Sequence, residues 1–129
     1  MNELMIVDDS SVICNRIERC FEETNIEVVA IANNGADAVL KYEQYRPKLI
    51  IMDLVMPQMD GLECIKRIVA KKDDVNILVV SAMSDRMTAL QALQAGARGF
   101  IYKPFSDEKL VNAIKKLAEL AKKSKNRSL

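Results

Sequence analysis

The fold of this chain of 129 residues is decided by the stretch Leu49-Ile50-Ile51-Met52-Asp53, in which four consecutive apolar residues end at a carboxylate. A strand that is apolar at every position needs cover on both of its faces, which is typical of a central strand in a parallel sheet. A second run of this kind, Ile77 to Val80, ends at Ser81. The two runs predict the middle of a parallel sheet, with a polar side chain at the carboxyl end of each strand.

Three further apolar runs predict the other strands, and each ends at polar or turn-forming residues. They are Leu4 to Val7 before Asp8 and Asp9, Glu27 to Ala32 before Asn33-Asn34-Gly35, and Phe100 to Tyr102 before Lys103. Five strands are therefore expected, and four of them end at a carboxylate, a hydroxyl or an ammonium group.

Apolar residues recur at helical spacing in the segments between and after these runs. The five sets are Ile13, Ile17, Cys20 and Phe21; Ala38, Val39 and Tyr42; Leu62, Ile65, Ile68 and Val69; Leu90 and Leu93; and Leu110, Ile114, Leu117 and Ala121. Helix caps are predicted at Ser10, at Asp60, at Ser84 or Asp85, and at Ser106. The alternation predicts an α/β fold of the (βα)5 type, a doubly wound five-stranded parallel sheet with helices on both faces.

Length, charge and hydropathy limit the class of protein. The chain is 50% hydrophobic and 29% charged, which fits one globular domain, expected over residues 1–121, followed by a basic tail over residues 122–129. A net charge of +1 gives no reason to expect nucleic acid or anionic lipid as a partner. No apolar stretch approaches the roughly 20 residues of a membrane helix, and no signal-peptide pattern is visible at the start. We therefore expect a cytoplasmic protein without a membrane partner.

Histidine and cysteine usage narrows the chemistry further. The chain contains no histidine, which excludes a histidine-activated nucleophile, the usual imidazole zinc site and a phosphohistidine donor. Cys14, Cys20 and Cys64 show no metal-ligand spacing, and we expect them to be reduced, small and buried apolar residues. Any chemistry is therefore expected to depend on carboxylates.

The polar residues at the strand ends form the candidate site, because open α/β sheets bind ligands at the carboxyl edge of the strands. Two unit charges about 4 Å apart repel by about 4 kcal/mol at an effective dielectric constant near 20, so Asp8, Asp9 and Asp53 together need positive charge. Lys103 supplies one charge, and Mg²⁺ is the expected cation because it combines carboxylates with a phosphate group. We expect Asp9 and Asp53 to be direct ligands and Asp8 to act partly through water.

Asp53 is also a candidate nucleophile, because carboxylates can form acyl phosphates. The charge of a phosphoryl group in transfer must be neutralised from several directions. The metal ion, the Lys103 ammonium group and the Ser81 hydroxyl could each bind one of its oxygens. The sequence therefore predicts a site that accepts a phosphoryl group.

Four segments in this order resemble the receiver domains of bacterial two-component response regulators. They are Ile6-Val7-Asp8-Asp9-Ser10, Met52 to Gly61, Val80-Ser81-Ala82-Met83, and Phe100-Ile101-Tyr102-Lys103-Pro104-Phe105. The resemblance covers residues 3 to 120 and implies a flavodoxin-like sheet with the strand order 2-1-3-4-5. It also implies a cis peptide bond between Lys103 and Pro104.

The same resemblance implies a role for each residue of the site. Asp53 is the phosphoacceptor for a sensor histidine kinase, Asp8 and Asp9 are the metal-binding pair, the carbonyl of Val55 completes the metal shell, and Ser81 and Lys103 contact the phosphoryl group. Phe100 matches the aromatic switch position, although it lacks the phenolic OH that is often found there.

The output implied by the resemblance is a binding surface formed by the fourth helix, the fifth strand and the fifth helix, which Ser81 and Phe100 would switch. The segments around these residues resemble single-domain chemotaxis regulators, whose partner is a flagellar switch protein. We expect a monomer that is not an enzyme, with only self-directed phosphotransfer and autodephosphorylation. Val55 and Met83 are apolar and cannot orient a hydrolytic water, so slow autodephosphorylation is predicted.

Four alternatives stay open at this point. Two of them keep the receiver assignment: a stand-alone phosphorelay receiver and the receiver fragment of a DNA-binding regulator. A Mg²⁺-dependent phosphatase would usually carry an acid/base aspartate at the position of Val55. A flavodoxin-like carrier would have Asp8 and Asp9 repelling the flavin phosphate and no Trp to stack on the flavin.

Overall fold

Five parallel strands, each followed by a helix, make up the computed structural model, which describes residues 2–56, 59–71, 74–82 and 86–127, with side chains described up to residue 121. The elements are β1 Asn2–Val7, α1 Ser11–Cys20, β2 Ile26–Ala32, α2 Gly35–Tyr45, β3 Leu49–Asp53, α3 Gly61–Val69, β4 Asn76–Ala82, α4 Arg86–Ala95, β5 Gly99–Lys103 and α5 Asp107–Arg127. The strands form one sheet in the order β2-β1-β3-β4-β5, and all four strand pairs are parallel. The predicted (βα)5 fold and strand order are confirmed.

Two apolar layers cover the sheet, and adjacent residues of a strand alternate between them. On one face, Ile50 and Met52 of β3 pack in a cluster with side chains of α2, α3 and α4, including Tyr42 and Ile65. On the other face, Leu49 and Ile51 pack in a cluster with side chains of α1 and α5. The stretch 49–52 is therefore buried on both faces, as its unbroken apolar run predicted.

Helix α4 buries different residues from the ones that marked it in the sequence. Ala89 and Ala92 are fully buried, whereas the Leu90 side chain is 52% exposed. Leu93 is only partly buried at the edge of the core. Alanine lets a helix lie close to the sheet, so the leucine spacing indicated a helix here but not its buried face.

Side-chain caps begin most helices where the sequence predicted them. The confirmed caps are Ser10, which accepts a hydrogen bond from Ile13 N at 3.3 Å, Asp60, which accepts one from Glu63 N at 2.9 Å, and Ser106, which accepts one from Lys109 N at 3.1 Å. Asn34 caps α2 by accepting from Asp37 N at 2.8 Å, although its sequence context predicted only a turn. Ser84 and Asp85, the candidates for α4, lie outside the described residues.

The outer edge of β2 carries a contact from α2. The carbonyl of Ala32 accepts a hydrogen bond from Asp8 N on the side of β1, so the preceding carbonyl, that of Ile31, points away from the sheet. Lys41 Nζ donates to Ile31 O at 2.5 Å and pairs with Asp37 at 3.1 Å. This outward-facing carbonyl of the edge strand is therefore bonded within the molecule.

Helix α5 continues beyond the apolar part of its sequence. Leu110, Ile114 and Leu117 are buried against the sheet, and the helical backbone extends to Arg127 through the basic residues that follow residue 121. The proposed boundary between a domain over 1–121 and a tail over 122–129 stays a prediction. None of the helices in the described part of the chain is long and apolar enough to cross a membrane.

Candidate functional site

The strand ends bring the predicted site residues to one edge of the sheet. Asp8 directly follows β1, Asp53 is the last residue of β3, and Lys103 is the last residue of β5. Ser81 is the last residue but one of β4, next to Ala82, which is paired with Lys103. The pairing extends slightly further than the apolar runs indicated, so Asp53, Ser81 and Lys103 belong to the strands themselves.

Three carboxylates meet at this edge. One oxygen from each of Asp8, Asp9 and Asp53 lies within 4.8 Å of the others. Asp8 and Asp53 are only 4% and 5% exposed, whereas Asp9 is open to solvent. The cluster is thus closed on the side of the protein and open on the side of Asp9, from which a cation or a phosphodonor could enter.

Three residues hold Asp8 in place by hydrogen bonds. Ser10 N donates to Asp8 Oδ1 at 2.9 Å, and the Asp8 carbonyl accepts from Asn33 Nδ2 at 3.2 Å and from Cys14 Sγ at 3.4 Å. Burial, and secondly the charge of Asp8, raises the pKa of Cys14 to about 11, so this thiol keeps its proton and can donate it. The sequence indicated neither Asn33, which it placed in a turn, nor this contact of Cys14.

The prediction of reduced, buried cysteines is confirmed for two of the three residues. All three are free, Cys14 and Cys64 are buried as predicted, and Cys20 is only half-buried. Burial raises the pKa of Cys64 to about 12, so it too remains a thiol.

The two buried carboxylates resist ionisation. Burial is the main cause that raises the pKa of Asp53 above its ordinary value of 3.8, and the neighbouring charge of Asp8 adds to it. Lys103 lowers this pKa without cancelling the increase. Burial likewise raises the pKa of Asp8, against the hydrogen bond from Ser10 N. The site therefore lacks positive charge, and its oxygen donors fit a hard divalent cation such as Mg²⁺.

Lys103 provides the positive side of the site. Its Nζ lies 3.7 Å from Asp53 Oδ1, which is an ion pair at a distance longer than a hydrogen bond, and its side chain is 41% exposed. The peptide bond between Lys103 and Pro104 is cis, as the resemblance implied.

The proposed switch residues lie on the face of the sheet that α4 covers. Ser81 is buried, and its hydroxyl donates to Ala82 O at 3.3 Å. Phe100 is half-buried against the core and meets the Tyr102 ring edge-on, with the ring centroids 5.2 Å apart. Because Tyr102 is the pairing partner of Ser81, it lies beside the hydroxyl in the sheet. The sequence analysis did not predict the position of Tyr102 beside Ser81 and Phe100, although the alternation of side chains along β5 could have indicated that Phe100 and Tyr102 share a face.

The loop after Asp53 is packed closely against α3. Val55 N donates to Asp53 Oδ1 at 3.4 Å, and Gly61 N donates to Leu54 O at 2.9 Å. A Cβ atom on Gly61 would lie 2.6 Å from Leu54 Cα and 2.7 Å from Asp53 O, so only glycine allows this approach. The Val55 side chain is 72% exposed beside the site. Met83, the other apolar residue on which the prediction of slow autodephosphorylation depends, lies outside the described residues.

Comparison with known proteins bears on the family and on the fold. The chemotaxis protein CheY of Listeria monocytogenes serovar 1/2a is 37% identical over 119 residues, which are 92% of this chain and 100% of that protein. CheY of Bacillus subtilis is 39% identical over 115 residues, 89% of this chain and 96% of the relative. A solved CheX-CheY-BeF3-Mg complex of Borrelia burgdorferi superposes with a TM-score of 0.84 at 25% identity, covering 90% of this chain and 88% of that one.

The family match extends over the same elements that build the site. Residues 4–115, from β1 into α5, match the response regulator receiver domain. They include every strand end that contributes a polar side chain to the acidic edge. Because the match covers most of the sequence and the observed strand order is the one that the resemblance implied, the chain belongs to the response regulator receiver family.

Proposed function

We propose that this chain accepts a phosphoryl group from a sensor histidine kinase on Asp53, in a Mg²⁺-dependent reaction, and controls a partner protein in chemotaxis. The observation that carries the proposal is the position of Asp53 Oδ1, 3.7 Å from Lys103 Nζ, in a carboxylate that also lies within 4.8 Å of those of Asp8 and Asp9. A nucleophile is thus flanked by an ammonium group on one side and by cation ligands on the other.

Each residue of the site has a separate role in the proposed phosphoryl transfer. A carboxylate oxygen of Asp53 forms a bond to phosphorus while the bond from phosphorus to the kinase histidine nitrogen breaks. Asp8, Asp9, Asp53 and the Val55 carbonyl would hold Mg²⁺, which neutralises charge on the phosphoryl oxygens when bound. Lys103 binds a further oxygen with its ammonium group. The Ser81 hydroxyl must leave Ala82 O to reach the phosphoryl group, and this step would begin the switch.

The proposed output surface consists of α4, β5 and α5. Two apolar side chains of α4 are exposed there, Met87 at 68% and Leu90 at 52%. The relatives with the names of chemotaxis proteins support a chemotaxis output, and the CheX-CheY complex shows that a CheY with BeF3 and Mg²⁺ assembles with another protein. A flagellar switch protein is the proposed partner. The family match speaks against the flavodoxin-like carrier and the phosphatase, which belong to other classes.

Beryllofluoride with Mg²⁺ tests the switch because it imitates a phosphoryl group on an aspartate. We expect the amide NMR signals of residues 82–105 to shift on its addition, since the Ser81 loop and Phe100 would rearrange, and those of the opposite end of the sheet to move little. The Asp53→Asn variant is the control and should show no shift. Unchanged spectra of the wild type in this region would contradict the proposal.

A binding experiment and a transfer experiment separate a chemotaxis output from a phosphorelay output. Binding of the beryllofluoride form to a flagellar switch protein supports the chemotaxis proposal. Onward transfer of the phosphoryl group to a histidine phosphotransfer protein would instead support a phosphorelay.

The Val55→Asn variant should lose its phosphoryl group faster than the wild type. The exposed isopropyl group of Val55 cannot hold a water molecule, whereas an amide beside Asp53 can orient one for attack. We expect decay to accelerate by about threefold or more, a small part of the range that proton-transfer groups span. The decay of the labelled aspartyl phosphate measures it, with Val55→Leu as the apolar control. Equal half-lives for the Asn and Leu variants would refute the prediction.

A further inference from the structure

Arg16 connects α1 to the segment that follows Lys103. Its Nε and Nη2 donate to Asp107 Oδ1 at 3.1 and 2.9 Å, and Nη2 also donates to Phe105 O at 3.0 Å. The guanidinium carbon lies 5.1 Å from the centroid of the Phe105 ring. One side chain of α1 therefore contacts a carboxylate, a backbone carbonyl and an aromatic face of the same short segment.

These contacts exceed those of an ordinary surface ion pair. The Arg16 and Asp107 side chains are 43% and 62% exposed, and such a pair alone contributes little to stability. The planar guanidinium can bond two acceptors while it stacks on a ring, which a lysine cannot do. By contrast, the exposed pair of Arg67 with Glu63 joins residues of the same helix, four positions apart.

The contacts of Arg16 with Phe105 and Asp107, called the Arg16 clamp below, lie near the proposed phosphorylation site. Helix α1 begins just after the acidic pair Asp8 and Asp9, and the clamped segment begins two residues after Lys103. Phe105 also packs against the core cluster beneath α1 and α5. The ring that Arg16 contacts is therefore itself held by the core. The clamp thus joins the element that follows the metal-binding carboxylates to the one that follows the phosphate-binding lysine.

We propose that Arg16 is a positioning residue for phosphoryl binding, which holds residues 105–107 on α1 and so sets the place of the Lys103 ammonium relative to Asp53. This inference rests on the proposed function of Asp53. Its consequence is selective, because Lys103 binds the phosphoryl group whereas the carboxylates bind the metal. Loss of Arg16 should weaken binding of the anion without weakening binding of Mg²⁺.

The test compares two affinities in the Arg16→Gln variant of the full chain. Mg²⁺ alone is titrated first, and beryllofluoride is then titrated at saturating Mg²⁺, both followed by amide NMR. We expect the beryllofluoride affinity to fall by roughly tenfold, as is typical when an outer group that orients a ligand is removed, and the Mg²⁺ affinity to stay as in the wild type. The beryllofluoride affinity of Arg16→Lys should lie between those of the wild type and Arg16→Gln, because lysine keeps the charge but not the planar guanidinium group.

Two control variants separate positioning from a general effect of losing an arginine. Arg67→Gln removes the pair within α3, and Arg19→Gln removes the guanidinium that bonds Asn15 O on α1 itself. Both should bind beryllofluoride as the wild type does. Asp107→Asn, which leaves Arg16 its Phe105 contacts, should show a weaker form of the Arg16→Gln effect and replaces that variant if it does not fold.

Each contrary outcome has a separate meaning. Wild-type beryllofluoride affinity in Arg16→Gln would overturn the positioning role and leave the proposed function intact. A parallel loss of both affinities together with a lower Tm would overturn it as well, in favour of a purely structural contact. If the wild type binds neither Mg²⁺ nor beryllofluoride, the proposed function itself is wrong.

Discussion

Asp53→Asn should abolish covalent phosphorylation, with no label taken up from acetyl phosphate or from a histidine kinase. An amide has nearly the shape of the carboxylate but is not a nucleophile, so the pocket is kept while the acceptor is lost. The wild type should gain one phosphoryl group per chain. Intact-mass measurement and radiolabelling both check this result.

A nearby aspartate provides the matched control for this experiment. Asp60 caps α3, and asparagine is an equally good cap. Asp60→Asn should therefore keep its fold and take up label as the wild type does. Labelling of Asp53→Asn at the level of this control would show that another residue is the acceptor.

Asp53→Asn should also be more stable than the wild type at neutral pH in the absence of Mg²⁺. One oxygen from each of Asp8, Asp9 and Asp53 lies within 4.8 Å of the others. Two ionised carboxylates at about this distance repel by about 3 kcal/mol at an effective dielectric constant near 20, and the charge of Lys103 offsets part of that repulsion. The raised pKa of Asp53 means that the folded state binds its proton more tightly than the unfolded state does. The stability linked to this proton is present below the ordinary pKa of 3.8 and is lost as the pH rises through the raised value.

Urea unfolding in EDTA measures this effect. The neutral side chain should add about 1 to 2 kcal/mol to the free energy of unfolding at neutral pH, the part of the repulsion that Lys103 does not offset. The advantage should shrink as the pH falls toward 3.8. Mg²⁺ should also reduce it, because the cation compensates the wild-type cluster but loses a ligand in the variant. Equal free energies of unfolding for the wild type and Asp53→Asn in EDTA at neutral pH would contradict the electrostatic account of the site.

Local patterns predicted much of the fold and of the site. The apolar run at 49–52 is buried on both faces, and the polar residues that follow such runs do meet at one edge. These features were predictable because they follow from the direction of parallel strands and not from any particular contact. The strand order 2-1-3-4-5 came from the resemblance to receivers, since periodicity alone does not say which strands are neighbours.

Contacts between distant parts of the chain were not predictable. Asn33 bonds the Asp8 carbonyl across 25 positions, and Arg16 bonds Asp107 across 91 positions. Each is an exposed polar residue whose own surroundings in the sequence suggest only a turn or a solvated helix face. The buried face of α4 was missed for a different reason, because Ala89 and Ala92 carry too weak an apolar signal beside Leu90.

The bond from Lys41 to Ile31 affects how these molecules meet one another in solution. An unpaired strand at the border of a sheet is a template for a strand of another chain, and natural proteins often protect it with lysine. A second molecule that added a strand here would have to break both this bond and the pair with Asp37. Aggregation through β2 is therefore disfavoured.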